Sequence, residues 1–85
     1  MSALSYTVDI EGDALEQALA LAKVDPEGIA HVMERIELLA LDPRPTGAFP
    51  YGPNAVRLHV GFYRVMAVVE DEEARVVVTH IGRAS

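Results

Sequence analysis

Apolar and polar residues alternate near the start of the chain and then take up helical spacing. Tyr6, Val8 and Ile10 occupy every second position of residues 5–10, which predicts a short strand with one apolar face. From about residue 13 to residue 22, the apolar positions recur every three or four residues among good helix formers. The chain is therefore predicted to begin with a strand that leads into a first helix.

A second helix is predicted to begin at residues 25–27, which read Asp-Pro-Glu. The aspartate can cap free backbone amides, the proline suits the first helical position, and the glutamate lies at the positive end of the helix dipole. One apolar stripe continues this helix to about Leu41, where Pro43 and Pro45 end it. Residues 42–54 are rich in proline and glycine, so a loop is expected there.

Three further strand patterns follow, at residues 56–60, 63–70 and 75–81. Gly61-Phe62 is a tight connection between the first two, and an acidic run forms the turn between the last two. The order β-α-α-β-β-β predicts the α+β class, with two N-terminal helices packed on one face of a mostly antiparallel four-stranded sheet. A chain of 85 residues suits a single domain of this kind, spanning residues 1–85.

The composition excludes several kinds of site. The sequence contains no cysteine, so disulfides and thiolate metal sites are excluded, and its three histidines lack the spacing of metal ligands. We therefore expect neither a metal ion nor another cofactor. The N-terminus does not resemble a signal peptide, and no apolar stretch approaches the roughly 20 residues that cross a bilayer. A soluble, cytoplasmic protein without a membrane partner is expected.

The formal net charge of −6 argues by itself against nucleic-acid binding, but the charges are unevenly distributed. Acidic side chains dominate residues 1–42, where only Lys23 and Arg35 oppose them. In residues 43–85 the acids are confined to residues 70–73, and five arginines lie in the same half of the chain. We therefore expect an acidic helical side and a locally basic side formed by the sheet.

Three segments together resemble the RelE/ParE family of toxins, which belong to bacterial type II toxin–antitoxin systems. Residues 38–47 read LLALDPRPTG, residues 56–65 read VRLHVGFYRV, and residues 76–83, after the acidic hairpin, read VVVTHIGR. The second segment is similar to the family signature R-L-x-V-G-x-Y-R-V. The similarity runs in the same order over nearly the whole chain, so the resemblance implies the family's fold for the whole domain.

The resemblance also implies a toxin that a cognate antitoxin neutralises by wrapping it with a C-terminal segment. For the RNA-cleaving branch of the family, it implies a ribosome-dependent endoribonuclease that cuts mRNA without a metal ion. For the ParE branch, it implies a protein that inhibits DNA gyrase and cuts no RNA. A decayed toxin that only binds its antitoxin is a third alternative, and a heterotetramer and a homodimer both remain open. The arginine-rich final strands with His80 favour the nuclease.

In the nuclease branch, the implied reaction is attack by a ribose 2′-hydroxyl on the neighbouring phosphate. This reaction needs a base, an acid for the leaving oxygen, and positive charge on the developing phosphorane. Arg64 matches the arginine of the family's Y-R-V motif, and its planar guanidinium can hold two phosphate oxygens. An ion pair with the acidic hairpin is the plainer alternative for Arg64. Arg83 lies near the family's C-terminal basic catalytic positions and is the second catalytic candidate.

A group that transfers protons is also needed, because arginine stays protonated. Histidine ordinarily changes charge close to neutral pH, and His80 lies at the end of the last strand where the family places its functional residues. The candidates to bind RNA or phosphate are Arg57, Arg44 and His59. Arg44 has a plainer alternative, an interaction with the negative C-terminal end of the second helix. Tyr63 is expected in the core.

The last hairpin decides whether His80 can join Arg64. A three-residue loop at residues 71–73 pairs Arg64 with His80, and directly opposed residues share one face of a sheet. A two-residue loop pairs Arg64 with Ile81 instead and turns His80 to the other face. The turn has no Asn-Gly or glycine for the positive φ angles of tight two-residue turns. We therefore predict the three-residue loop, with His80 beside Arg64.

Overall fold

The computed structural model describes residues 5–84. Within them the chain forms the helices α1 (Gly12–Ala22) and α2 (Pro26–Leu38) and the strands β1 (Thr7–Ile10), β2 (Phe49–Pro50), β3 (Ala55–Val60), β4 (Tyr63–Glu70) and β5 (Arg75–Arg83). Both helices pack on one face of a single sheet, so the predicted α+β class is confirmed. Neither helix in this part of the chain is long and apolar enough to cross a membrane.

The sheet has five strands in the order β1-β5-β4-β3-β2, one more than predicted. Strand β1 runs parallel to β5, and all the other neighbours are antiparallel. The additional strand, β2, lies in the proline-rich segment that was predicted to be only a loop. It is a two-residue edge strand in which Phe49 pairs with Arg57 and Pro50 with Val56. Proline is tolerated there because an edge strand leaves some amide positions without a ladder partner.

The core lies between the helices and the face of the sheet formed by alternate strand residues. Ala14 and Ala18 are one helical turn apart on α1, and their small side chains let that helix approach β5 closely. The other face of each strand carries half-buried or exposed residues, including most of the charges of β3 and β4. The largest fully buried side chains are those of Val32, Ile36, Leu39, Tyr63, Val65, Val69, Val76, Val78 and Ile81.

Helix α2 begins where the sequence predicts and ends three residues earlier than the predicted limit, Leu41. Asp25 Oδ1 accepts a hydrogen bond from the Gly28 amide at 3.0 Å, which is the expected cap. At the other end, the amides of residues 39–41 bond to carbonyls three residues earlier. This tighter pattern ends the α-helix before Pro43, because the residue before a proline disfavours helical backbone.

The β4–β5 turn is tied to the rest of the molecule by Arg44. The Arg44 guanidinium donates to both carboxylate oxygens of Asp71, at 3.2 and 3.0 Å, and the Tyr6 hydroxyl donates to Asp71 Oδ1 at 2.7 Å. The predicted interaction of Arg44 with the C-terminal end of α2 is therefore wrong, since the carboxylate of Asp71 is close enough to take both guanidinium nitrogens. The hydrogen bonds from Arg44 and Tyr6 lower the pKa of Asp71.

The register of the β4–β5 hairpin differs from the prediction. Glu70 pairs with Arg75, so the turn has four residues, 71–74, and the predicted three-residue loop is wrong. Ala74 adopts a φ of 51°, a left-handed conformation that the sequence does not signal because the residue is not a glycine. Further along, Ala67 pairs with Val78 and Met66 with His80, so one extra residue, Thr79, forms a β-bulge.

The bulge determines which way His80 points. Val76 and Val78 face the helices, and an unbroken alternation would send His80 into the core as well. The extra residue instead returns Ile81 to the core and leaves His80 exposed. Gln17 of α1 supports this part of β5, because its Oε1 accepts a hydrogen bond from the Ile81 amide at 2.9 Å.

We predict that Gln17→Ala lowers the free energy of unfolding by about 1 kcal/mol, because the half-buried amide of Ile81 loses its acceptor. The exposed neighbour Glu16 supplies the control, and Glu16→Ala should change stability by less than about 0.5 kcal/mol. Urea denaturation of the three proteins measures the difference. Equal effects of the two substitutions would show that the Gln17 contact does not support β5.

Candidate functional site

The face of the sheet that carries no helix brings several predicted site residues together. Directly paired residues share a face, so the strand register defines which side chains lie side by side. We call this surface the uncovered face. Its first cross-strand row consists of Phe49, Arg57, Met66 and His80, and its second row consists of His59, Arg64 and Gly82.

His80 lies next to Arg64, although the two are not directly paired. Arg64 is opposite Gly82, and a Cβ atom built on Gly82 would lie 2.7 Å from His80 Nε2. The imidazole therefore occupies the space in which a side chain of residue 82 would stand. Side chains of directly paired residues are close neighbours, so this position puts the imidazole beside Arg64. His59, directly paired with Arg64 on β3, lies on the other side of the arginine.

No carboxylate of residues 5–84 engages the guanidinium groups of Arg57 and Arg64. Among residues 5–84, neither takes part in an ion pair, and the Nε atom of each is buried without a hydrogen-bond partner. The alternative in which Arg64 pairs with the acidic hairpin is wrong, because Glu70 is bonded to Arg75 and Asp71 to Arg44. Because no carboxylate among the described residues engages them, the terminal N–H groups of both arginines are free to donate to an acceptor on a bound molecule.

Two aromatic rings that were not predicted as site residues border Arg57. The Arg57 Cζ atom lies 5.4 Å from the centroid of the Phe49 ring and 5.8 Å from that of Tyr51. The rings are 63% and 58% exposed. The only available sequence signal was a pair of aromatic residues inside a proline- and glycine-rich segment. Their position beside Arg57 follows from the pairing of β2 with β3, which that segment does not predict.

Two predicted site residues lie away from the uncovered face. Arg83 is paired with Tyr63, whose side chain faces the helices, and the Arg83 Cζ atom is 5.6 Å from the centroid of the Phe62 ring. Arg44 is held by Asp71 at the opposite end of the hairpin. The structure therefore groups Arg57, His59, Arg64 and His80 and leaves Arg83 and Arg44 outside that group. Within residues 5–84, no group of three or more histidine, aspartate or glutamate side chains is arranged to hold a metal ion.

Tyr63 anchors the start of β4, one residue before Arg64. Its side chain is 1% exposed, as predicted for a core residue, and its hydroxyl donates to Asp25 Oδ2 at 2.7 Å. This hydrogen bond is the main cause that raises the pKa of Tyr63 and lowers the pKa of Asp25. The Gly28 amide lowers the pKa of Asp25 further. A single carboxylate thus connects the first turn of α2 to the strand that carries Arg64.

No protein-family model matches the sequence, and a comparison with curated proteins finds no relative. The fold is nevertheless similar to several solved structures. The toxin–antitoxin complex RelBE2 from Mycobacterium tuberculosis matches with a TM-score of 0.78 at 23% identity, covering 94% of this chain and 99% of that chain. The intact RelBE toxin–antitoxin complex of E. coli matches with a TM-score of 0.69 at 26% identity, covering 95% and 99%. The archaeal RelE–RelB complex from Pyrococcus horikoshii OT3 matches with a TM-score of 0.74 at 17% identity, covering 94% and 96%.

We predict that Tyr63→Phe lowers stability most at intermediate pH. The lowered pKa of Asp25 stabilises the folded protein above the ordinary carboxyl pKa of about 3.9, and this contribution is lost as the pH falls through the lower folded value. The raised pKa of Tyr63 stabilises the folded protein below about pH 10, and this contribution is lost as the pH rises through the higher folded value.

The difference in unfolding free energy between the wild type and Tyr63→Phe should therefore shrink at both pH extremes. Urea denaturation across the pH range measures it. Tyr51→Phe is the control, because Tyr51 is exposed and makes no hydrogen bond to a carboxylate among residues 5–84. A difference that stays constant with pH would contradict the assignment of the Tyr63–Asp25 hydrogen bond.

Proposed function

We propose that this chain, which has the RelE toxin fold, is the toxin of a type II toxin–antitoxin pair and cuts mRNA on the ribosome. The observation that carries the proposal is the uncovered face. There, two arginines that pair with no carboxylate of the described part of the chain lie among two histidines. This arrangement suits a phosphodiester, because it offers fixed positive charge together with groups that can exchange protons.

Arg64 has the central role in the proposed reaction. The 2′-hydroxyl oxygen attacks the adjacent phosphorus, its proton passes to a base, and the bond from phosphorus to the 5′-oxygen breaks as that oxygen takes a proton from an acid. The products are a 2′,3′-cyclic phosphate and a 5′-hydroxyl. The Arg64 guanidinium stabilises the charge on the two non-bridging oxygens. His80 and His59 lie on either side of Arg64, and His80 is the group proposed to exchange a proton with the reacting oxygens.

Arg57 and His59 are proposed to hold RNA next to the scissile phosphate. Arg83 was predicted to be catalytic, but its guanidinium lies against the Phe62 ring, away from Arg64. We therefore assign it no step in the reaction. Arg44 is likewise assigned no step, since its guanidinium is already held by a carboxylate. The ribosome supplies the remaining contacts, because the chain has a net charge of −6 and only seven lysine and arginine residues in all.

A cognate antitoxin is proposed to neutralise the toxin by wrapping it with a C-terminal segment. Toxin–antitoxin complexes of RelE and RelB are among the matching structures. In addition, several large apolar side chains on the helical side are exposed, and a segment that folds on binding could cover them. These are the side chains of Leu15, Leu19, Leu38 and Leu41.

We predict that Arg64→Ala lowers the rate of mRNA cleavage on ribosomes by about 100- to 1,000-fold, because one charge contact to the transition state is lost. Arg64→Lys should recover only part of the rate, since an ammonium group lacks the paired donors. Primer extension on a translated message, with purified protein and ribosomes, measures the cleavage.

Arg35→Ala is the matched control, because Arg35 lies on α2 at the other side of the sheet. It should cleave like the wild type, whereas His80→Asn should be slowed. Cleavage by Arg64→Ala within threefold of the wild type would overturn the role of Arg64. A wild type that inhibits DNA gyrase but leaves the message intact would overturn the nuclease in favour of the ParE-type alternative.

A further inference from the structure

The aromatic pair on the uncovered face has a feature that the proposed cleavage reaction does not require. Phe49 and Tyr51 expose more than half of their surfaces at the edge of the sheet. The Arg57 guanidinium lies within about 6 Å of both rings, the range of a cation–π contact. Such a contact involves the ring faces and leaves guanidinium N–H groups able to donate to another acceptor. The three side chains thus present aromatic surface and an anion-binding group at one place.

This combination fits a nucleotide of single-stranded RNA. Bases without a pairing partner are bound by stacking on aromatic side chains, while nearby arginines hold the backbone phosphate. No ion pair within residues 5–84 engages the Arg57 guanidinium, so its terminal N–H groups have capacity for a phosphate oxygen. No carboxylate in that range pairs with it, so an incoming phosphate meets no local competitor.

The strand register places this aromatic pair near the proposed cleavage site but not at it. Phe49, Arg57 and Met66 form consecutive members of one cross-strand row, and Met66 is paired with His80. Neighbouring strands are about 4.8 Å apart, so β2 lies roughly 10 Å from β4, which carries Arg64. A base stacked on Phe49 or Tyr51 therefore belongs to a nucleotide close to the scissile phosphate rather than to the reacting ribose.

We propose that Phe49 and Tyr51 form a base-stacking platform that, with Arg57, positions a nucleotide next to the one that is cut. This inference rests on the proposed function, because it assigns a substrate contact to the same face. The platform would bind any base, since every base has an aromatic face, and would favour RNA whose bases are unpaired. It would act in binding and positioning, with no part in proton transfer.

The control comes from a second aromatic–arginine contact in the same chain. Phe62 is 68% exposed and lies 5.6 Å from the Cζ atom of Arg83. It resembles Phe49 in residue type, exposure and arginine contact, but it lies beside Asp25 and Tyr63 rather than on the uncovered face. Phe62→Leu therefore reports the effect of losing an exposed ring, without the loss of the platform.

The test measures the dissociation constants of a single-stranded RNA oligonucleotide that carries a 2′-deoxy substitution at the cleavage site. The proteins are the wild type, the double variant Phe49→Leu/Tyr51→Leu, and Phe62→Leu. The double variant should bind roughly 5- to 100-fold more weakly, the range expected for a lost base stack, and Phe62→Leu should bind like the wild type. An RNA series with one abasic nucleotide at each position is titrated in parallel. One abasic position should weaken binding to the wild type by a similar factor and should not weaken binding to the double variant further.

The outcomes separate the platform from the proposed function. If the wild type cuts mRNA on ribosomes but does not bind the oligonucleotide or shows a flat abasic series, or if the double variant binds RNA like the wild type, the platform is overturned and the nuclease stands. If the double variant binds the cognate antitoxin more weakly but binds RNA like the wild type, the aromatic pair is a protein-binding surface and the inference is wrong. If the wild type neither binds the RNA nor cuts mRNA, the proposed function fails and the platform fails with it.

Discussion

The β-bulge at Thr79 allows strand β5 to bury Val76, Val78 and Ile81 in the core and also to place His80 on the uncovered face. The core requires Val76, Val78 and Ile81 to face the helices, but these residues cannot share a face of a regular strand, because side chains alternate with a period of two. One extra residue between Val78 and His80 resolves the conflict. The bulge keeps the core filled, and it also turns His80 outward over Gly82, beside Arg64. The hydrogen bond between Gln17 and the Ile81 amide supports this segment beyond the point where β1 ends.

The molecule is acidic overall, but the local charge on the uncovered face is set by its arginines. Two acidic residues of the β4–β5 hairpin are bonded to other cations, Glu70 to Arg75 and Asp71 to Arg44. Among residues 5–84, no carboxylate forms an ion pair with Arg57 or Arg64. An acidic protein can in this way keep a local anion site, because what matters at contact distance is the arrangement of nearby charges rather than their sum.

Much of the fold could be predicted from local signals. The helix start at Asp25 was predicted from its capping residue and proline, and the last three strands were predicted from their apolar patterns. The face of His80 was also as expected, but through a different register. The turn has one residue more than predicted, and the bulge adds one more residue to β5. Together they shift the register by two residues, which is one full period of side-chain alternation in a strand. The face was therefore preserved although Arg64 is paired with Gly82 rather than with His80.

The parts that could not be predicted depend on contacts between segments distant in the sequence. Strand β2 contains a proline and exists only because Phe49-Pro50 meets β3, so no local pattern identifies it. The four-residue turn depends on an alanine with positive φ, which sequence statistics disfavour. The partner of Arg44 was missed for a related reason, since Asp71 is brought to it by the hairpin rather than by the helix that precedes it.

We propose that RNA binds the uncovered face at Arg64, beside His80, which the bulge turns outward. Nuclear magnetic resonance of the isotopically labelled protein tests it most directly, by following the Nε–H signals of the arginines while a non-cleavable single-stranded RNA is added. We expect the signals of Arg57 and Arg64 to shift together with the ring signals of His59 and His80, while the Arg35 and Arg75 signals stay in place. Shifts confined to Arg35 or to the helices, with Arg64 unaffected at saturating RNA, would contradict it.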